Sequence, residues 1–131
     1  MNAKYMIVED VFKNVVDDKG NTCGFEVGFR IPYYRGIMIS CMEDYKITVD
    51  GEEFTKDKMK VWVGGCSFTY DELQSAVYKR CEFGEVGKFI IEKEGGLHSG
   101  EHEVVFDLEM RISYMPWPSI NRDCKKLNLL V

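Results

Sequence analysis

The stretch Val104-Val105-Phe106-Asp107-Leu108-Glu109-Met110-Arg111-Ile112-Ser113-Tyr114 decides the fold class. Its even positions are all apolar, while Asp107, Glu109, Arg111 and Ser113 sit between them. Successive side chains of an extended chain point to opposite faces, so this alternation predicts a long strand with one dry face and one wet face. Such a strand belongs to an antiparallel sheet, because parallel sheets are covered on both sides.

The same pattern recurs on either side. From Cys23 to Ile31 the odd positions Cys23, Phe25, Val27, Phe29 and Ile31 are apolar, with Gly24, Glu26, Gly28 and Arg30 between them. Tyr45, Ile47 and Val49 alternate with Lys46 and Thr48 and run into Asp50-Gly51, a pair that tolerates positive φ and predicts a tight hairpin. Met59, Val61 and Val63 lead to Gly64-Gly65, and Phe89 to Lys93 is a further strand closed by Gly95-Gly96. Tyr5 to Val16 is strand-like but less regular, with its turn at Asp17 to Asn21. One helix is predicted from about Tyr70 to about Lys79. Thr69 and Glu72 fit a capping box, and Tyr70, Leu73 and Val77 fall on one face. A short helical turn after Pro118 fits the last residues. Seven or so strands with one short helix predict an all-β fold, a single antiparallel β-sandwich domain spanning residues 1–131, without repeats or a linker.

Composition narrows the function classes. The chain has 131 residues, 45% of them hydrophobic and 30% charged, which is enough apolar material for a core and excludes a disordered chain. A net charge of −5 provides no electrostatic footprint for a phosphate backbone, so nucleic acid is not an expected partner. No apolar run approaches the roughly 20 residues needed to cross a bilayer, and no basic start with an apolar segment marks a signal peptide. A cytoplasmic location is expected. The five cysteines (Cys23, Cys41, Cys66, Cys81, Cys124) show no paired metal-ligand spacing and are expected to be small buried apolar groups.

Three segments are poorly explained by packing within one sandwich. His98, Glu101 and His102 match H-x-x-E-H, a pattern that binds zinc when a helix aligns positions i and i+4. Gly95, Gly96 and Gly100 argue for a loop there, which removes that alignment and favours a surface or interface loop. Pro32-Tyr33-Tyr34-Arg35-Gly36 places two adjacent tyrosines on opposite sides of an extended chain, one toward the core and one outward beside an arginine. Pro116-Trp117-Pro118 holds a tryptophan in an exposed, extended conformation suited to docking. No phosphate loop, nucleophile elbow or cysteine–histidine pair is visible, so these residues describe a binding or subunit module.

Several of these segments also carry a likeness. Pro32-Tyr33-Tyr34-Arg35-Gly36, Thr48-Val49-Asp50-Gly51, Gly95-Gly96-Leu97 with Gly100-Glu101-His102, Leu108, and Arg111-Ile112-Ser113-Tyr114 come in a fixed order and at fixed separations. Together they resemble the small beta subunit of the bacterial C-glycoside deglycosidases, over roughly Val8 to Pro116. The resemblance implies a β-sandwich that supports a large alpha subunit, itself similar to sugar isomerase barrels and carrying a divalent metal, typically manganese (Mn2+). It further implies a 3-keto C-glycoside as substrate, such as a flavonoid C-glycoside. Metal-assisted enolisation at C2 and elimination would break the C1–carbon bond, a carbon–carbon lyase reaction. In that family the metal and the base belong to the alpha subunit, so no catalytic, cofactor-binding or metal-binding residue carries over to this chain. The chain alone is expected to be inactive. Tyr33, Tyr34, Arg35, Gly95, Gly96, Leu97, His98, His102 and Trp117 are expected to meet the partner, with His98 or His102 at the mouth of its active site.

Two other readings stay open from the residues. One is a cupin-like metalloenzyme using His98, Glu101 and His102, although no third histidine exists in the chain. The other is a stand-alone carbohydrate- or ligand-binding sandwich with Trp117 and Tyr33 or Tyr34 as stacking platforms.

Overall fold

A computed structural model describes residues 6–33, 36–112 and 116–129. In chain order the strands are β1 (Ile7–Val16), β2 (Thr22–Phe29), β3 (Ile37–Met38), β4 (Met42–Val49), β5 (Glu52–Thr55), β6 (Met59–Val63), β7 (Cys66–Phe68), β8 (Arg80–Cys81), β9 (Gly87–Glu92), β10 (Gly100–Met110) and β11 (Ser119–Leu129). One helix, α1 (Tyr70–Ser75), lies between β7 and β8. One sheet has the order β1-β2-β9-β6-β7 and a second β11-β10-β4-β5, while β3 and β8 form a small pair. All the pairings are antiparallel. This is the predicted all-β sandwich.

The alternating residues form the layer between the sheets. Phe25, Val27, Phe29 and Ile31 from one side and Val104, Phe106, Leu108, Met110 and Ile112 from the other are all buried. Phe29 stacks on Phe89 with centroids 4.4 Å apart, and Phe106 meets Phe89 edge-on at 5.0 Å. Asp107 and Glu109 are half-buried on the opposite face, and Asp107 pairs there with Arg122 of β11. Cys23 departs from its series: it is exposed at the edge of β2. Only Cys81 is fully buried among the five cysteines, so the expectation of buried thiols is corrected. Most of these cysteines lie at strand ends or on outward faces, where a small side chain meets solvent.

The two sides of the sandwich close differently. On one side β1 meets β11 through side chains: Asp123 accepts the Ile7 N–H at 2.9 Å, and Lys125 donates to the Ile7 carbonyl at 2.9 Å. On the other side α1 packs beside β6, β7 and the 3₁₀ turn Ile39–Cys41. Leu73 is fully buried there, and Tyr70 donates its hydroxyl to the Glu43 carbonyl. The capping box forms as predicted, with Thr69 accepting from the Glu72 N–H and the Glu72 carboxylate accepting from the Thr69 N–H.

Three boundaries differ from expectation. The helix ends at Ser75, not Lys79, because Ala76 leaves helical geometry and the next residues turn toward the β3–β8 pair. There the Ile39 N–H donates to the Lys79 carbonyl, which ties the chain leaving the helix to the 3₁₀ turn Ile39–Cys41. Val77 is consequently exposed rather than on the buried face. The long strand runs from Gly100 to Met110, so Glu101 and His102 belong to β10 and not to a loop. Ser113 and Tyr114 lie outside the described residues. Finally, the segment after Pro118 is an eleven-residue strand instead of a helical turn.

Strand register sorts the connections into two ends. Gly24 pairs with Glu92 and Gly100 with Leu129, so the turns at 17–21, 50–51 and 93–99 share one end. Phe29 pairs with Gly87 and Met110 with both Met42 and Ser119, which places residues 31–33, 36–42, 76–86, 111–112 and 116–119 at the other. The eight residues of β2 separate the two ends by roughly 25 Å.

Candidate functional site

The densest polar cluster is at the first end, around His102. Asp50 and Gly51 form the β4–β5 hairpin with φ of 50° and 87°, the positive-φ pair that the Asp-Gly sequence predicts. That turn aims the Asp50 carboxylate at β10. One oxygen accepts the Glu103 N–H at 2.8 Å and the other lies 2.6 Å from His102 Nδ1. His102 Nε2 lies 2.8 Å from the His98 carbonyl. Both ring nitrogens therefore face oxygen acceptors, and both bonds form only when both carry protons. The ring is buried, with Phe12 edge-on at 5.9 Å and the His98 ring at 4.4 Å.

The electrostatics agree with that geometry. Burial opposes the charged imidazolium, but the His98 carbonyl, the Asp50 hydrogen bond and the Asp50 charge together outweigh it and raise the His102 pKa above 6.5. The Asp50 pKa is lowered, first by the Glu103 N–H and then by His102. Across the loop, Asn14 donates to the Leu97 carbonyl and accepts the Leu97 N–H, at 2.8 and 2.9 Å. Gly96 has a φ of 62°, and a Cβ there would lie 2.5 Å from Asn14 Oδ1, so this close approach requires glycine. Segment 95–99 is thus tied to β1 by Asn14 and to β10 by His102.

This arrangement corrects the metal reading. His98, Glu101 and His102 do not converge: Glu101 is exposed and follows the opposite face of β10 from buried His102, and the His102 nitrogens are already engaged. Among the described residues no group of three or more His, Cys, Asp or Glu side chains is placed to hold a metal ion. The donors present do not fit the cupin-like alternative. A cleft of about 640 Å³ beside α1 is lined by residues that include Lys56, Tyr70 and Asp44, with the Lys56 ammonium 4.1 Å over the Tyr70 ring and paired to Asp44. These groups satisfy one another.

The segments chosen from sequence separate in space. Tyr33 is buried and packs in the core, as one of the two adjacent tyrosines should, and it cannot serve as an open stacking platform for a sugar. Tyr34 and Arg35 lie outside the described residues. Trp117 is exposed at the same end as Tyr33. Gly95, Gly96, Leu97, His98 and His102 lie at the opposite end, where Leu97 and His102 are buried and His98 is exposed. Sequence reasoning also missed Asp50 as more than a turn residue, because nothing in the sequence says that β4 lies beside β10. It missed the exposed apolar side chains Val77, Tyr78, Phe83 and Ile120 as well.

A five-stranded and a four-stranded antiparallel sheet with a small β3–β8 pair beside them, and a His–Asp cluster directed inward, define an all-β sandwich protein. The sequence pattern described as C-glycoside deglycosidase beta subunit matches residues 2–114, and the chain belongs to that family. The chain is 30% identical over 122 residues to the 3'-dehydrocarminate deglycosidase beta subunit of a Microbacterium species, covering 88% of this chain and 83% of the relative. It is 26% identical over 113 residues to the C-glycoside deglycosidase beta subunit of Eubacterium cellulosolvens, covering 86% and 77%. It is 28% identical over 97 residues to the corresponding protein of Microbacterium trichothecenolyticum, covering 68% and 67%. Among the described residues no helix is long and apolar enough to cross a membrane.

Proposed function

We propose that this chain is the beta subunit of a heteromeric, cytoplasmic C-glycoside deglycosidase and that it supports the reaction without supplying its acid, base or metal. The observation that carries this reading is the family match, which spans residues 2–114 and so takes in most of the sandwich. The substrate class is a 3-keto C-glycoside, of which flavonoid C-glycosides are one source. A ketone at C3 acidifies the proton on C2. Removal of that proton, departure of the aglycone carbon from C1 and protonation of that carbon leave an unsaturated ketone on the sugar, so atoms and charge balance. These steps are assigned to an alpha subunit built as a sugar-isomerase-like barrel, with a divalent metal such as manganese.

The geometry of this chain is compatible with that division. Its best acid–base pair, Asp50 and His102, has its hydrogen-bonding capacity directed at its own backbone and side chains. The test is co-expression with the alpha subunit of the same bacterium, followed by purification and metal analysis of the complex and of each chain. A stoichiometric complex whose metal stays with the alpha subunit is expected. Failure of the two chains to associate, or stoichiometric metal on this chain alone, would overturn the proposal.

A further inference from the structure

The sandwich has one end that is unlike the rest of its surface. Six large apolar side chains are strongly exposed among the described residues: Val16, Val77, Tyr78, Phe83, Trp117 and Ile120. All but Val16 belong to the end that holds the described residues 31–33, 36–42, 76–86, 111–112 and 116–119, or to the start of β11 beside it. Two backbone bonds bring these segments onto one short support. The Ile39 N–H donates to the Lys79 carbonyl and the Arg111 N–H donates to the Cys41 carbonyl, so both hang from the 3₁₀ turn Ile39–Cys41.

Charge divides the molecule the same way. At the far end Asp17, Asp18, Glu94, Glu101 and Glu103 are exposed, and Glu52 pairs there with Lys93 at 2.9 Å. At the apolar end, among the described residues, Arg80 pairs with Glu82 at 2.7 Å and Arg111 with Glu43 at 2.7 Å. Glu85 accepts the Glu82 N–H, and the Glu85 N–H donates to the Glu82 carbonyl, which fixes the turn carrying Phe83. These apolar groups are therefore presented on a hydrogen-bonded backbone beside two ion pairs, while the far end carries more exposed carboxylates.

Area is also consistent with a partner. Three aromatic and two aliphatic side chains at about two-thirds exposure offer on the order of 600 Å². That sum approaches the roughly 800 Å² per partner of a stable interface. Resting on the subunit role proposed above, we infer that the end carrying Val77, Tyr78, Phe83, Trp117 and Ile120 is the surface that docks on the alpha subunit. Tyr78, Phe83 and Trp117 are the anchors. The His98 loop, at the opposite end, faces away from that contact.

The experiment measures binding of the alpha subunit to the full chain by calorimetry, with sedimentation of the free chain in parallel. Tyr78→Ser combined with Phe83→Ser, and Trp117→Ser separately, are compared with Val16→Ser at the acidic end. All are exposed positions, so unchanged melting temperatures are expected and are checked first. The double variant should bind the alpha subunit at least roughly thirtyfold more weakly, the Trp117 variant should be weakened in the same direction, and Val16→Ser should bind as wild type. Full-strength binding by the double and Trp117 variants, beside a wild type that binds, overturns the docking surface and leaves the subunit role standing. A wild type that does not bind the alpha subunit overturns both. Loss of self-association in the double variant with alpha binding unchanged assigns the surface to a second copy of this chain and likewise overturns the inference.

Discussion

Replacing His102 with Asn removes the ring that joins the Asp50 hairpin to the His98 loop, and the effect should depend on pH with a defined sign. A hydrogen bond to a charged group contributes about 1.5–3 kcal/mol and an ordinary one about 1 kcal/mol. Asp50 is half-exposed, with 49% of its side-chain surface open, so water recovers part of the loss on that side. A net cost of about 2 kcal/mol follows, or roughly 7 °C in melting temperature for a chain of this size. The folded state raises the His102 pKa, so its share of stability is complete below 6.5 and is lost as pH rises through the higher folded value. The folded state lowers the Asp50 pKa, so its share is complete above 3.8 and is lost as pH falls through the lower folded value. The melting-temperature gap between wild type and His102→Asn should thus be widest between about pH 4.5 and 6.5, and should narrow toward alkaline pH. Asp50→Asn keeps an acceptor for the Glu103 N–H and tolerates positive φ, so its double-mutant cycle with His102→Asn isolates the charge. The assay is thermal unfolding monitored by circular dichroism from pH 4 to 9, with NMR titration of the His102 ring. A gap of equal size at pH 6 and pH 9, or a His102 titration unmoved by Asp50→Asn, would refute the doubly hydrogen-bonded imidazolium.

Two further substitutions test the packing that supports this site. Phe106→Ala should cost about 3–5 kcal/mol by leaving a cavity beside Phe89 and Phe29, read as a lower midpoint in urea with an unchanged slope; a cost below 1 kcal/mol would place Phe106 outside the core. Asp123→Ala should cost about 1–3 kcal/mol, because it leaves the buried Ile7 N–H without its acceptor. Hydrogen exchange should show faster opening of β1 in that variant, and unchanged protection there would deny the bridge between β1 and β11.

Most of the fold was legible because its strands carry a two-residue apolar period, as Phe25 to Ile31 and Val104 to Ile112 do. The strand β11 was hidden because two of its inward positions are Asn121 and Asp123, buried polar groups that break the apolar series. The first residues of β10 were hidden for a related reason: His102 takes an inward position while reading as polar. The helix start was legible in Thr69 and Glu72, since a capping box is local chemistry. Its end was not, since the chain leaves the helix at Ala76 to reach a strand pair whose other strand, β3, lies some forty residues earlier. For the candidate site the sequence supplied His98, His102 and Trp117, but not Asp50 as the partner of His102. That partnership exists only because β4 and β10 are neighbours, a fact of topology rather than of any local pattern.

The most direct test of the subunit role is aglycone release from a 3-keto C-glycoside, measured with the purified chain, with the purified alpha subunit, and with the two combined. Release should be absent with this chain alone and should rise on titrating it into the alpha subunit until the two are stoichiometric. Turnover by this chain alone, or an alpha-subunit rate unchanged by its addition, would contradict the role proposed for it.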